Sequence, residues 1–227
     1  MNIGQAAQAT GVSAKMIRYY EETNLIRPAQ RSAAGYRVYG TDDIQTLRFV
    51  RRARDLGFTV RQIEALLLLW RDHSRASADV KRIATDHIVA LQKKMRELQE
   101  MVGTLHAAGR TENPREVEAA VWHREGKGVT GFGHGFAIPH GMTDAVRCQS
   151  ITFARFCRPI EWGSLDGEPV RVALMLTARE TGADQTHLKL LAKLARRLMH
   201  EGFRESLMRA PDAGSVLNVL QTELELG

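Results

Sequence analysis

The chain has 227 residues, 44% of them apolar and 26% charged, which is enough for two packed domains of ordinary composition. It holds no run of about 18 apolar residues, and its opening, MNIGQAAQATG, has neither the basic nor the apolar region of a secretory leader, so the expectation is a cytoplasmic chain without membrane insertion. Two cysteines exclude a disulfide framework, and a net charge of +6, concentrated in clusters such as Arg48, Arg51, Arg52 and Arg54, points to an anionic partner or to a solvated helix face.

Residues 1–10 place Ile3, Ala6 and Ala7 on one helical face, and Gly11-Val12 makes a turn. Ser13 is suited to cap a second helix over 14–22. Two short helices around a glycine-containing turn predict a helix-turn-helix, whose second helix enters the major groove. On that helix Lys15, Arg18 and Tyr19 or Tyr20 are the candidates to meet phosphates or base edges. Pro28 then ends regular structure. Gly35 permits a hairpin tip, flanked by the alternating run Tyr36-Arg37-Val38-Tyr39. With Arg31, the residues Tyr36, Arg37 and Tyr39 form a candidate wing against the DNA backbone. Thr41 is expected to cap the next helix, with Ile44, Leu47 and Phe49-Val50 facing inward, and LGFTV leads into another.

The stretches MIRYYEETNLI, AGYRVYGTDDIQTLRFVRRARDLGFTVRQIEALLLL and SADVKR resemble the MerR family of transcription regulators, closest to its copper and heavy-metal branch. The resemblance covers residues 1 to about 107. It implies a dimer that binds promoter DNA, distorts an overlong spacer and realigns it for RNA polymerase. The dimer also follows from spacing. Ala84, Ile88, Leu91, Met95, Leu98, Val102 and Leu105 recur in steps of four and three, a seven-residue repeat that calls for a partner helix. An amphipathic helix packed on its own domain is the alternative. In the metal-sensing branch two cysteines follow this helix; here it ends in LHAAGRTENPREV, without cysteine. Soft cations need thiolate. Cys148 and Cys157, at opposite ends of a strand-like segment, would stand about 30 Å apart when extended. The expectation is therefore no metal site and no cofactor.

Past Pro114 the chain changes character. REVEAAVWHREG reads as a helix, Ile151–Phe156 and Val170–Thr177 as strands with a turn over 162–167, and 185–199 and 213–225 as helices, together an α/β domain. Between them lies GFGHGFAIPHG, residues 131–141. An imidazole is nucleophilic near neutral pH, and Gly131, Gly133, Gly135 and Gly141 would let backbone N–H groups cradle an anion. His140 is thus a candidate phosphoryl acceptor.

The segments REGKGVTGFGHGFAIPHG, WGSLDGEPV and HLKLLAKLARRLM, in that order, resemble the type-2 EIIA domain of the sugar phosphotransferase system, of the fructose and mannitol kind. The resemblance covers 115 to about 222. It implies that His140 takes phosphate from the phosphocarrier HPr and passes it to an EIIB domain. It also implies that His187 lies beside it and that Arg124 balances phosphate charge. The family's usual N-terminal strand and helix are lacking, because the long helix occupies their place in the sequence. Either that helix or a partner covers what they leave open, or the second half is marginally stable.

The expected fold is thus two-domain. A helix-rich winged helix-turn-helix spans 1–75, a dimerisation helix 76–107, a linker 108–114 and an α/β EIIA-like domain 115–227. The expected function is a MerR-type regulator whose EIIA-like domain, phosphorylated on His140, reports phosphotransferase status to transcription. Two alternatives are a phosphocarrier component dimerised by a MerR-like segment, and a regulator with an inert tail.

Overall fold

In a computed structural model the chain divides into two compact units, Met1–Val89 and Ala90–Gly227. The structure describes residues 1–33, 35–71, 77–164, 166–181 and 186–225. Position 165 in the expected turn, position 185 at an expected helix start and the expected boundary at 75/76 lie outside the described residues.

The first unit opens with α1 (Ile3–Thr10) and α2 (Ala14–Glu22). Asn2 and Gln5 close a reciprocal cap at the start of α1, Gly11 ends it in the left-handed region at φ 71°, and Ser13 accepts from the N–H of Met16 to start α2. A two-stranded ribbon follows, β1 (Gln30–Arg31) against β2 (Arg37–Val38), antiparallel with Arg31 opposite Arg37. The unit continues with α3 (Thr41–Asp55), α4 (Val60–Arg71) and the start of α5 (Ser77–Ala107). Gly40 rather than Thr41 is the N-cap of α3, and Asp43 reaches back to accept from its N–H at 2.8 Å. Ile17, Leu47, Val50 and Ile63 are fully buried and make one core.

The second unit takes up α5 from Ala90 and adds α6 (Pro114–Glu125), β3 (Gly131–Gly133), β4 (Phe136–Ala137), β5 (His140–Met142), β6 (Ser150–Ile160), β7 (Val170–Ala178), α7 (Thr186–Leu198), α8 (Glu201–Arg209) and α9 (Ala213–Leu224). Strand β7 is central. It pairs in parallel with β4 and β5 on one side and antiparallel with β6 on the other, while β3 hairpins onto β4. Its run VRVALMLTA is almost wholly buried, as a strand covered on both faces must be. Successive side chains go to opposite layers. Ala173 and Met175 pack with α6 and the second half of α5, whereas Val172 and Leu174 pack with α7, α8 and α9.

The seven-residue stripe of α5 therefore does two different things. Leu98, Val102 and Leu105, expected in a dimer seam, are buried at 1–3% exposure in this chain's own core, together with Met101. They pack on the face of β7 that carries Ala173 and Met175. Ile88, Leu91 and Met95 remain exposed. Residues 108–114, expected as a linker, are built into the second unit. Thr111 is buried, bridges to Val146 and donates to the carbonyl of Ala145 at 2.7 Å, and Arg147 donates its backbone N–H to Arg110 at 2.8 Å.

Candidate functional site

Sheet parity decides which way His140 faces. It opens β5 opposite Leu176 of β7, and the next residue, Gly141, lies opposite Thr177. Gly141 turns toward α6, and no side chain fits there. A Cβ would stand 2.9 Å from the backbone nitrogen of Val121 and 3.0 Å from the carbonyl carbon of Ala120. Helix α6 thus lies directly on the strand, anchored by buried Val117 and Val121. Its start is fixed by Pro114 at the first helical position and by Asn113, which accepts from the N–H of Glu116. Its last turn carries Arg124 to the imidazole.

Two hydrogen bonds orient His140. Nδ1 lies 2.8 Å from the carbonyl oxygen of Ile138, and Nε of Arg124 donates to Nε2 at 2.9 Å. A carbonyl only accepts, so Nδ1 carries the proton and Nε2 presents its lone pair. Arg124 also donates to the carbonyl of Gly128 at 3.1 Å. His187, in the first turn of α7, is buried at 5% exposure, with its ring centroid 6.3 Å from that of His140 and the planes inclined at 47°. Its Nδ1 has no hydrogen-bond partner among the described residues.

Burial disfavours the charged form of both rings. Burial pushes the His140 pKa below the ordinary histidine value; the bond to Ile138 opposes this and the Arg124 charge adds to it. For His187, burial again comes first and the neighbouring His140 second. A half-buried neutral imidazole with an oriented lone pair and an adjacent guanidinium suits nucleophilic capture of an anionic electrophile.

The three residues expected together, His140, His187 and Arg124, converge. The four glycines expected to form a cradle each have a turn or packing role. Gly133 and Gly135 take positive φ at the β3–β4 hairpin tip, Gly131 makes room for the backbone of Ser164, and Gly141 seats α6. Packing and turn geometry account for all four.

Sequence reasoning missed Glu125 and its partners. The Glu125 carboxylate is buried, accepts from Lys94 Nζ at 2.6 Å and from the Thr130 hydroxyl, and stands one residue beyond Arg124. A signal for Lys94 was available. The stripe Leu98–Met101–Val102–Leu105, extended back one turn, lands on it.

In the first unit, Lys15, Arg18 and Tyr19 are exposed on α2, and Arg31 and Tyr36 on the ribbon. Tyr20 and Tyr39 are corrections. Tyr20 is buried at 5% and Tyr39 at 2% exposure, so both rings belong to the core. The Tyr39 hydroxyl donates to Glu21 at 3.1 Å, and burial, helped by this bond, pushes its pKa up to about 12. Arg37 is half-buried and pairs with the same carboxylate at 2.9 Å, and the backbone N–H of Ala29 donates to it at 3.1 Å. Buried Glu21 therefore ties the ribbon to α2, a role its sequence position did not reveal. Several of the clustered arginines also serve the fold. Arg48 and Arg51 donate to the carbonyls of Ala9 and Gly11 at the end of α1, and Arg54 donates to Phe58.

Comparison with known proteins bears on both units. The model described as MerR HTH family regulatory protein matches residues 1–69, and that described as MerR, DNA binding matches 44–108. The model for the phosphoenolpyruvate-dependent sugar phosphotransferase system, EIIA 2, matches residues 80–223, more than half of the chain. The chain belongs to both families. Its MerR-type part is 61% identical over 110 residues to heavy metal-dependent transcription regulator 2 of Rhizobium meliloti, covering 48% of this chain and 75% of that one. The multiphosphoryl transfer protein of Shigella flexneri is 39% identical over 170 residues, covering 73% of this chain but only 20% of that protein. Among solved structures, nitrogen regulatory protein IIA-Ntr of Neisseria meningitidis superposes with a TM-score of 0.50 at 32% identity, over 56% of this chain and 86% of that one. The EIIA match begins at residue 80, inside α5, in keeping with the packing of Leu98 to Leu105 in the second core. Although the name of the Rhizobium relative speaks of heavy metal, this chain offers few thiols: Cys148 is half-buried beside Arg110, and Cys157 is exposed. No described helix is long and apolar enough to cross a membrane.

Proposed function

We propose that this MerR–EIIA chain is a promoter-binding regulator whose second unit accepts a phosphoryl group on Nε2 of His140 and so reports phosphotransferase status to transcription. The single observation that carries the proposal is the convergence of Arg124 and His187 on a neutral imidazole whose Nδ1 proton is held by Ile138. The Nε2 lone pair attacks phosphorus of the phosphohistidine of HPr. A new N–P bond forms, the bond to the donor imidazole breaks, and the donor keeps the electron pair. The Nδ1 proton stays where it is. Arg124 leaves Nε2 for the incoming oxygens, where its fork matches the anion. His187, whose ring lies 6.3 Å from that of His140, is assigned to steer the same group. Passage to an EIIB domain runs these steps in reverse.

DNA recognition is assigned to Lys15, Arg18 and Tyr19 of α2 and to Arg31 and Tyr36 of the ribbon, all exposed. The exposed Ile88, Leu91 and Met95 are assigned to a homodimer that places two such modules on one promoter and presents a realigned promoter to RNA polymerase. Phosphorylation adds about two negative charges beside α6, and this is the input that shifts DNA affinity.

The test is incubation with phosphoenolpyruvate, the upstream kinase and HPr, followed by a promoter footprint with and without phosphate. Wild type is expected to take label and His140→Ala none; an unlabelled wild type ends the proposal. A labelled protein that leaves no footprint would favour a phosphocarrier instead.

A further inference from the structure

We propose that Lys94, in α5, is a positioning residue for His140: it clamps Glu125, and through Glu125 it fixes both hydrogen bonds that orient the imidazole. Its consequence for phosphoryl transfer rests on the function proposed above; its effect on the ring does not.

Lys94 is 6% exposed, and its ammonium sits 2.6 Å from Glu125 Oε2, 3.4 Å from the carbonyl oxygen of Trp162, and over the indoles of Trp162 and Trp122 at 4.8 and 6.0 Å. Burial lowers its pKa, and the Glu125 charge opposes that. Burying an ion pair is costly, and such a pair stabilises less than an apolar replacement of similar shape often would. Here the pair has a geometric use, because two arms run from Glu125 to His140.

One arm is the chain itself. Glu125 ends α6, so fixing its carboxylate fixes the helix end from which Arg124 donates to Nε2 at 2.9 Å. The other arm crosses the strands. The Thr130 hydroxyl donates to Glu125 and accepts from Trp162 Nε1 at 3.1 Å. The Thr130 carbonyl accepts from the N–H of Ile138 at 2.9 Å. The Ile138 carbonyl in turn holds the Nδ1 proton of His140 at 2.8 Å. Lys94 stands where the arms meet.

The experiment uses the full chain with 15N-labelled histidine. The ring shifts of His140 report which nitrogen carries the proton, and label uptake from HPr reports the rate. The charged and titratable groups facing His140 are Arg124 and Glu125 of α6 and His187 of α7, among the described residues. In Lys94→Met the Nδ1–H tautomer is expected to lose its dominance, and phosphate uptake to slow about tenfold to a hundredfold, as misplacement of a reacting group does. If that variant fails to fold, Lys94→Met/Glu125→Gln removes both charges and is expected to fold with the same mixed tautomer. A shifted titration midpoint alone does not decide, since removing a charge moves it in any case. A folded variant that keeps the wild-type tautomer ratio overturns the proposal, however far its melting temperature falls. Because the tautomer is read without phosphate, a chain that responds to Lys94→Met yet takes no label leaves the positioning role intact and removes only the phosphoacceptor reading.

Discussion

Nε of Arg124 donates to Nε2 of His140 at 2.9 Å, so the cation rests on the atom to which the proposed function assigns the phosphoryl group. The hydrogen bond orients the ring, and under that proposal it is released as the N–P bond forms. Replacing Arg124 by Lys keeps a charge but loses the planar fork, and Ala loses both. Label uptake from HPr is expected to fall about tenfold to a hundredfold in Arg124→Lys and about a hundredfold to a thousandfold in Arg124→Ala, the range for removing a transition-state donor. A rate within twofold of wild type in Arg124→Ala would separate the guanidinium from the chemistry.

Gly141 sets the distance between β5 and α6. A methyl group there meets the backbone of Val121 and Ala120, and backbone has little room to give. Gly141→Ala is expected to lose about 1–3 kcal/mol of stability, as overpacking does. It should also slow phosphorylation by moving Arg124 away from the ring. Urea unfolding and label uptake measure the two effects separately.

Both histidine pKa values are lowered in the folded protein, mainly by burial. Above the ordinary value of about 6.5 both rings are neutral folded and unfolded, and they add no pH dependence. Below it the unfolded chain binds protons that the folded chain resists, so stability falls as the pH drops toward the folded values and levels off beneath them. His187→Gln is expected to flatten this acid loss in part, and His140→Gln/His187→Gln more fully. Unfolding midpoints between pH 7.5 and about 5 would show it. An identical slope in the double variant contradicts the assignment.

Glu21 holds the ribbon to α2 through Arg37, Tyr39 and the N–H of Ala29. Glu21→Ala leaves buried donors unpaired and is expected to cost about 1–3 kcal/mol, together with DNA affinity. Lys15→Ala and Arg18→Ala touch only exposed side chains. They should leave stability within about 0.5 kcal/mol and weaken DNA binding. Each phosphate interaction removed should lower the salt slope by about one. Thermal melts beside binding isotherms at several salt concentrations distinguish the two classes.

The two halves of the α5 stripe should respond differently to substitution. Ile88→Asp and Met95→Asp change exposed positions and are expected to shift the sedimentation of the chain toward monomer without unfolding it. Leu98→Ala removes a side chain at 1% exposure and is expected to cost about 2–5 kcal/mol in the second unit. A monomeric Leu98→Ala with unchanged stability would restore the seam to its full length.

The sequence by itself determined the two families, the helix-turn-helix with its ribbon, the strands β6 and β7, and the three residues His140, His187 and Arg124. The elements follow from local spacing and caps, which act over a few residues; the families, and the interest in His187 and Arg124, follow from ordered motifs that resemble known families. It did not determine α8, whose short amphipathic run lies between two stronger helices, nor β5, a three-residue strand that exists only because β7 lies beside it. Nor did it separate Tyr19 from Tyr20, or Tyr36 from Tyr39, since adjacent and alternate positions look alike until burial divides them. The division of α5 is the clearest case. Leu98 and Ile88 sit in one unbroken repeat, yet a sheet folded from residues 131–178 claims the former and leaves the latter in water. Lys94 and Glu125 are the polar counterpart. A charge pair 31 residues apart in the chain acquires its meaning only when packing removes it from solvent and places it behind His140.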